Sequence, residues 1–305
     1  MILYIFTIIF FILSSPFFIG VIKSLKMFLL YKKPVSLFQG YYNFQKLLCK
    51  ENIISSESSI ITKVGPFLVL SPLIVVLFFL PPIFSKSFYV GFVDAFTIIG
   101  LISLSTFFLM LIGLDSGNSF GGIGSSREAF ISSLVEPAMV LTVFSIGLMA
   151  KDIGVANASV NLAHNFPKEH MASFLFSAIS FFILLLAENG RLPVDNPETH
   201  LELTMVHEAM ILDLSGFYLL LIELAGSIKY IIFASLFVSL FLPFGLELSP
   251  FLAFMVFVLK ILFVSVVIAL VEINGAKLRL FKVPNLLGLS IIFSFLSLIS
   301  FYVLG

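Results

Sequence analysis

The chain has 305 residues, of which 60% are hydrophobic and only 11% charged, with a mean hydropathy of +1.16. A soluble domain of this size carries roughly 25% charged residues, so a water-soluble globular fold is excluded. Seventeen basic residues balance seventeen acidic ones, which leaves no basic excess for nucleic acid. The lone Cys49 excludes an intramolecular disulfide, and also an iron–sulfur cluster held by this chain's own thiolates. The four histidines (His164, His170, His200 and His207) show no metal spacing, and His207-Glu208 lacks the second histidine of a zinc-protease helix.

In chain order, eight apolar runs are long enough to cross a bilayer: about 2–22, 64–84, 88–114, 131–150, 171–188, 214–245, 250–273 and 284–304. Runs of this length satisfy their backbone only as helices, because a barrel would show short alternating segments. The expected fold is an all-α integral membrane protein of about eight transmembrane helices in a single domain, 1–305. The first charge is Lys23, whereas a signal peptide needs positive charge before its apolar core. The first run is therefore expected to be a retained membrane helix.

After it comes a basic, aromatic stretch, 23–63, which looks like an amphipathic helix lying on the inner membrane surface, attracted to anionic lipid or serving as a docking surface. The glycine-rich LDSGNSFGGIGSSREA (114–129) lacks the G-x-x-x-x-G-K-[ST] pattern of a phosphate loop. It is expected to be a close-packed turn leading to Arg127 and Glu128. Glu136 lies inside the fourth run beside Pro137, and an intramembrane carboxylate is a functional candidate by default. The alternative for it is a structural hydrogen bond to Ser132 or Ser133. Further charges fall in later runs: Glu223 and Lys229 in the sixth, Lys260 and Glu272 in the seventh. All four are further functional candidates, and the alternative for Glu272 and Lys229 is a place near the membrane surfaces, with Lys229 snorkelling.

The segment 188–213 gathers six acids (Glu188, Asp195, Glu198, Glu202, Glu208 and Asp213) against one base, Arg191. Asp195 and Glu198 have capping-box spacing, with Pro197 in the first helical turn, and Asp195, Glu198 and Glu202 would share one helix face. The bland reading is a solvated acidic loop. Carboxylates crowded near membrane depth, however, raise one another's pKa values, which suits proton exchange near neutral pH. Lysine and arginine fall mainly in alternate loops, twelve against three. The positive-inside rule then places loops 23–63, 115–130, 189–213 and 274–283 in the cytoplasm and both termini outside. The expected location is the cytoplasmic membrane.

AENGRLPVDNPETHLEL (187–203) resembles the signature loop of the membrane protein shared by respiratory complex I (its subunit 1) and the energy-converting [NiFe]-hydrogenases. Glu188, Arg191, Pro193, Asp195, Pro197, Glu198, Glu202 and Leu203 are all in register. LDSGNSFGGIGSSREAFISSLVEPA and HEAMILDLSG resemble the hydrogenase branch, which includes formate hydrogenlyase subunit 4 and hydrogenase-4 component C. Asp213 and Leu214 stand where the complex I proteins carry the Glu-Tyr of a Glu-Tyr-Ser-Gly motif. The resemblance implies a subunit with no redox centre of its own. It would join a peripheral arm to antiporter-like membrane subunits. The arm would comprise hydrogenase large and small subunits and an iron–sulfur subunit, holding the [NiFe] site and the clusters. It also implies a proton path through Glu136, Glu188, Asp195, Glu198, Glu202, Glu208, Asp213 and Glu223, with Arg191, Arg127 and Glu128 organising the loop. Na⁺ remains open as the ion. Two alternatives stand beside this reading: a complex I subunit 1 bordering a quinone site, and a stand-alone secondary transporter. The absence of an internal repeat speaks against the transporter.

Overall fold

The structure is a computed structural model that describes residues 2–55, 58–80, 94–195, 205–246 and 248–304. Among the described residues eleven α-helices follow one another: α1 (Ile2–Leu29), α2 (Gln39–Leu48), α3 (Ile60–Phe79), α4 (Ala95–Asp115), α5 (Ser119–Ala150), α6 (Val155–His164), α7 (Met171–Glu188), α8 (His207–Met210), α9 (Gly216–Phe241), α10 (Pro250–Asn274) and α11 (Val283–Leu304). Eight of them are long and apolar enough to cross a membrane, as expected. The other three (α2, α6 and α8) are short. α9 is the most enclosed span, with 78% of its most apolar stretch buried against 22% for the span that contains α11. α1 and α10 flank α9 on one side, α3 and α4 lie on another, and α5, α7 and α11 form a third group.

Apolar burial gives little drive for helices to associate within lipid, so close packing and polar contacts decide the arrangement. The α5–α7–α11 group is joined by hydroxyls. Thr142 meets Ser180 at 2.9 Å, Ser145 meets Ser177 at 2.8 Å, Ser177 meets Ser297 at 2.6 Å and Ser173 meets Ser300 at 2.6 Å. Several of these also donate to backbone carbonyls, as Ser180 does to Ser290 and Ser297 does to Ser173.

Two sequence expectations are corrected. The stretch 115–130 is not a cytoplasmic loop, because α5 begins at Ser119 and carries Arg127 and Glu128 on a helix. Asn118 caps it, its side-chain oxygen accepting from Phe120 N at 3.1 Å. The glycines act as contact points between helices rather than as turn residues. A Cβ on Gly121 would stand 2.3 Å from Gly113 O, and one on Gly124 would stand 2.9 Å from Ala209 Cβ and from Val206 O. The loop expected from residue 23 also starts later, since α1 continues to Leu29 and keeps Lys23 and Lys26 helical.

The expected surface helix exists as α2. Tyr41 ties it to α1 by donating to Leu13 O at 2.6 Å. A clasp follows it. Ser215 Oγ accepts from Ile53 N at 2.7 Å, and Asn52 Oδ1 accepts from Phe217 N at 2.7 Å. Gly216 sits between them at φ +55°, where a Cβ would strike Asn52 Oδ1 at 2.4 Å. The Ser-Gly of the HEAMILDLSG stretch thus fastens the start of α9 to the segment before α3.

Candidate functional site

The site lies where one end of α1, α7 and α10 meets the start of α9. α7 closes at Glu188 and the chain turns back through Gly190 at φ +54°. That turn presents Arg191 and Asp195 inward, each only 5% exposed. Charges at such depth persist only when paired and hydrogen-bonded, and here three pairings do this. Lys229 Nζ of α9 lies 2.7 Å from Glu188 Oε2, a charge pair without the alignment of a hydrogen bond, and donates to Thr106 Oγ1 of α4 at 3.1 Å. Lys277 Nζ, from the α10–α11 connection, donates to Asp195 Oδ1 at 2.6 Å, while Val206 N donates to Oδ2 at 3.3 Å. Glu272 of α10 receives two cations: Arg191 at 3.3 Å on Oε1 and Lys26 of α1 at 3.4 Å on Oε2. The Arg191 guanidinium also lies 5.9 Å from the centroid of the Tyr230 ring, and the Tyr230 hydroxyl is 2.7 Å from Ser265 Oγ.

Two cavities open beside these pairs. The larger, about 220 Å³, lies between α1, α2 and α9 and is lined by Lys23, Asn43, Arg191, Glu223 and Tyr230 among others. The smaller, about 70 Å³, is bounded by Glu188, Asp195 and Lys229. Asn189, His207, Glu208 and Gly226 line both. His207, at the start of α8, keeps some accessible surface, but that surface faces the cavities. Burial, and then the Lys229 charge, push its pKa down to about 4 against the opposing pull of Asp195.

The expected site residues divide as follows. Glu188, Asp195, Arg191, Glu208 and Glu223 converge on the cavities. Glu128 joins them electrostatically, since Lys229, Glu188 and Asp195 all act on it across the bundle. Arg127 Nη1 donates to Met205 O at 2.8 Å and so braces α8 against α5. Among the described residues the carboxylate partner of Arg191 is Glu272 on α10. Glu136 is half-buried in the middle of α5. Neither serine alternative holds it, as Ser133 Oγ donates to Phe130 O, and no described residue reaches its carboxylate. Asp213 lies half-buried in the turn before α9, away from both cavities. Glu198, Glu202 and the capping box proposed for Asp195 and Glu198 lie outside the described residues.

Sequence reasoning undervalued Lys229 and Glu272, which are internal ion-pair partners rather than surface groups, and it overlooked Lys26, Lys277 and His207. The usable signal was the presence of a lone base and a lone acid inside otherwise apolar runs.

Compared with known proteins, residues 3–303 match the family model described as NADH dehydrogenase. The chain belongs to the NADH dehydrogenase family, that of complex I subunit 1. Within this family it is 30% identical to hydrogenase-4 component C of Escherichia coli (strain K12), over 92% of this chain and 90% of that one. It is 25% identical to formate hydrogenlyase subunit 4 of the same organism, over 94% of each. The fold is shared with a chain of the membrane-bound sulfane sulfur reductase, an archaeal respiratory membrane complex, at TM-score 0.84 and 15% identity, covering 97% of this chain and 98% of that one. The signature loop that pointed to the family is the segment whose entry is held by Glu188, Arg191 and Asp195.

Proposed function

We infer that this family member is the membrane anchor and ion-coupling subunit of a hydrogenase-type oxidoreductase related to complex I. The observation that carries the reading is the buried cluster of Glu188–Lys229, Asp195–Lys277 and Glu272 with its two cations, set against the two cavities. Such a cluster is costly in an apolar bundle and is the kind of arrangement that stores and releases charge. The similarity to hydrogenase-4 component C along nearly the whole chain supports the hydrogenase assignment.

In this reading the chain holds no cofactor. The [NiFe] centre and iron–sulfur clusters reside in hydrogenase large and small subunits and an iron–sulfur subunit, and antiporter-like subunits contact the lipid-facing helices. Glu188, Asp195, Glu198, Glu202, Glu208, Asp213 and Glu223 take up and pass protons, Glu136 continues the path, and Arg191, Arg127 and Glu128 hold the loop. Lysine-rich connections lie at this end of the bundle, so the site faces the cytoplasm and both termini lie outside the cytoplasmic membrane.

The test is isolation of the native complex through a tag on this chain. Nickel should copurify with it, and Glu136→Gln and Glu202→Gln should each lower ion movement per turnover several-fold while leaving that nickel in place. A nickel-free isolate that moves ions alone in liposomes would replace this reading with a transporter. One observation favours a second reading within the family, namely that the larger cavity opens beside Arg191 and α2, as a quinone-bordering protein would need. Reduction of a short-chain quinone by the purified complex, without hydrogen turnover, would select it.

A further inference from the structure

The acidic groups of the site form two sets. Around the small cavity stand Glu188 and Asp195 with Lys229, and Glu128 is coupled to all three. Toward the open cavity stand Glu223 and Lys23, and the charge on Glu208 acts on Glu223. Of the four residues that line both cavities, only His207 and Glu208 can carry a proton, and of the two only the histidine can take up a proton on one ring nitrogen and release another from the opposite edge of the same ring. His207 feels the opposite side, the charges of Lys229 and Asp195.

We propose that His207 is the proton relay between the two cavities, passing protons between the Glu208–Glu223 side and the Glu188–Lys229 pair. The inference rests on the ion-coupling reading above and names a member of the path that its carboxylates do not supply.

The step balances as a proton transfer. A neutral imidazole accepts a proton on one ring nitrogen from a carboxylic acid on the open side. It then releases the proton of the other nitrogen to the Glu188 carboxylate, directly or through a water in the small cavity. Rotation of the ring then turns the protonated nitrogen toward Glu188 and the bare nitrogen toward the open side, ready for the next proton. An ordinary histidine would hold that proton roughly a hundredfold more tightly than a carboxylate does and would trap it. Burial and Lys229 bring His207 down into the carboxylate range, which removes the trap. Lys229 and Asp195 act on His207 directly, Glu188 and Glu208 line the small cavity with it, and Lys23, Arg191 and Glu223 line the larger one with it; α5, which packs on α8, carries Arg127 and Glu128. α4 adds Asp115, which is engaged by Ser59 and Thr62.

The experiment uses inverted membrane vesicles that contain the whole complex. Hydrogen turnover and the acidification of the vesicle interior are followed between pH 6 and 8, and assembly is checked by copurifying nickel. His207→Gln should lower coupled turnover more than tenfold with assembly intact. His207→Gly should show the same loss, and millimolar imidazole should restore its turnover in proportion to its concentration, because the open cavity admits it. Wild-type turnover in His207→Gln, or an assembled His207→Gly that imidazole does not rescue, overturns the relay and leaves the coupling reading in place. A wild-type complex that turns over hydrogen without acidifying the vesicles overturns the coupling reading, and the relay with it.

Discussion

At the scale of single residues, the buried charges are bound to each other more firmly than to any element. Glu272 is 3% exposed and faces Arg191 and Lys26, so removing it takes the carboxylate partner from the buried Arg191 and one partner from Lys26. Breaking a buried pair from one side costs about 3–5 kcal/mol. Glu272→Ala should therefore destabilise the protein by about 3 kcal/mol in a reversible detergent unfolding titration. Arg191→Met combined with Glu272→Met should recover part of that loss, because apolar side chains of similar size replace the Arg191–Glu272 pair and no guanidinium is left without its carboxylate. Equal stability of Glu272→Ala and the wild type would show that water, not Arg191, solvates the carboxylate. The acids of the site were legible in the sequence because each interrupts an apolar run or crowds one loop. Their partners were not, since Lys229 reaches Glu188 and Lys277 reaches Asp195 across helices whose approach no spacing encodes.

At the scale of elements, hydropathy found all eight spans but misjudged the end of α1 and the start of α5. The composition of 114–129 is that of a loop, with Gly117, Gly121, Gly122 and Gly124 among serines. It is helical because α4 and α8 press so close that only small residues fit. Gly113 and Gly124 both abut Met210, and Ala209 lies against Gly124. A larger side chain must push α8 away, and α8 carries His207 and Glu208. Gly124→Leu should then lower the amount of folded protein in the membrane several-fold and weaken coupling in what remains, whereas Gly122→Ala, which meets nothing within 4 Å, should leave both unchanged. Immunodetection after membrane extraction, paired with vesicle acidification, reads both effects. α6 escaped the sequence reading for a different reason. Ten residues with a mixed apolar face fall below the length at which helical periodicity stands out from a polar connection.

At the scale of the whole molecule, eight spans bring every paired charge of the site to one end of the bundle, the end that also carries α2 and the lysines of its connections. The lone cysteine reports which way that end faces. Cys49 is exposed just after α2. A membrane-impermeant maleimide should label it in inverted vesicles and not in right-side-out ones, and the reverse pattern would turn the bundle over. The hydroxyl contacts among α5, α7 and α11 bear on how such a bundle is completed. α11 leaves the ribosome after α5 and α7, and lipid offers its apolar surface nearly the same solvation as the protein does. Ser294, Ser297 and Ser300 meet the hydroxyls of Ser180, Ser177 and Ser173 only in one rotation and one height of the helix. α11 is thus admitted by a pattern of polar teeth rather than by greasiness, and an error of one residue in its seating leaves the row of hydroxyls unmatched.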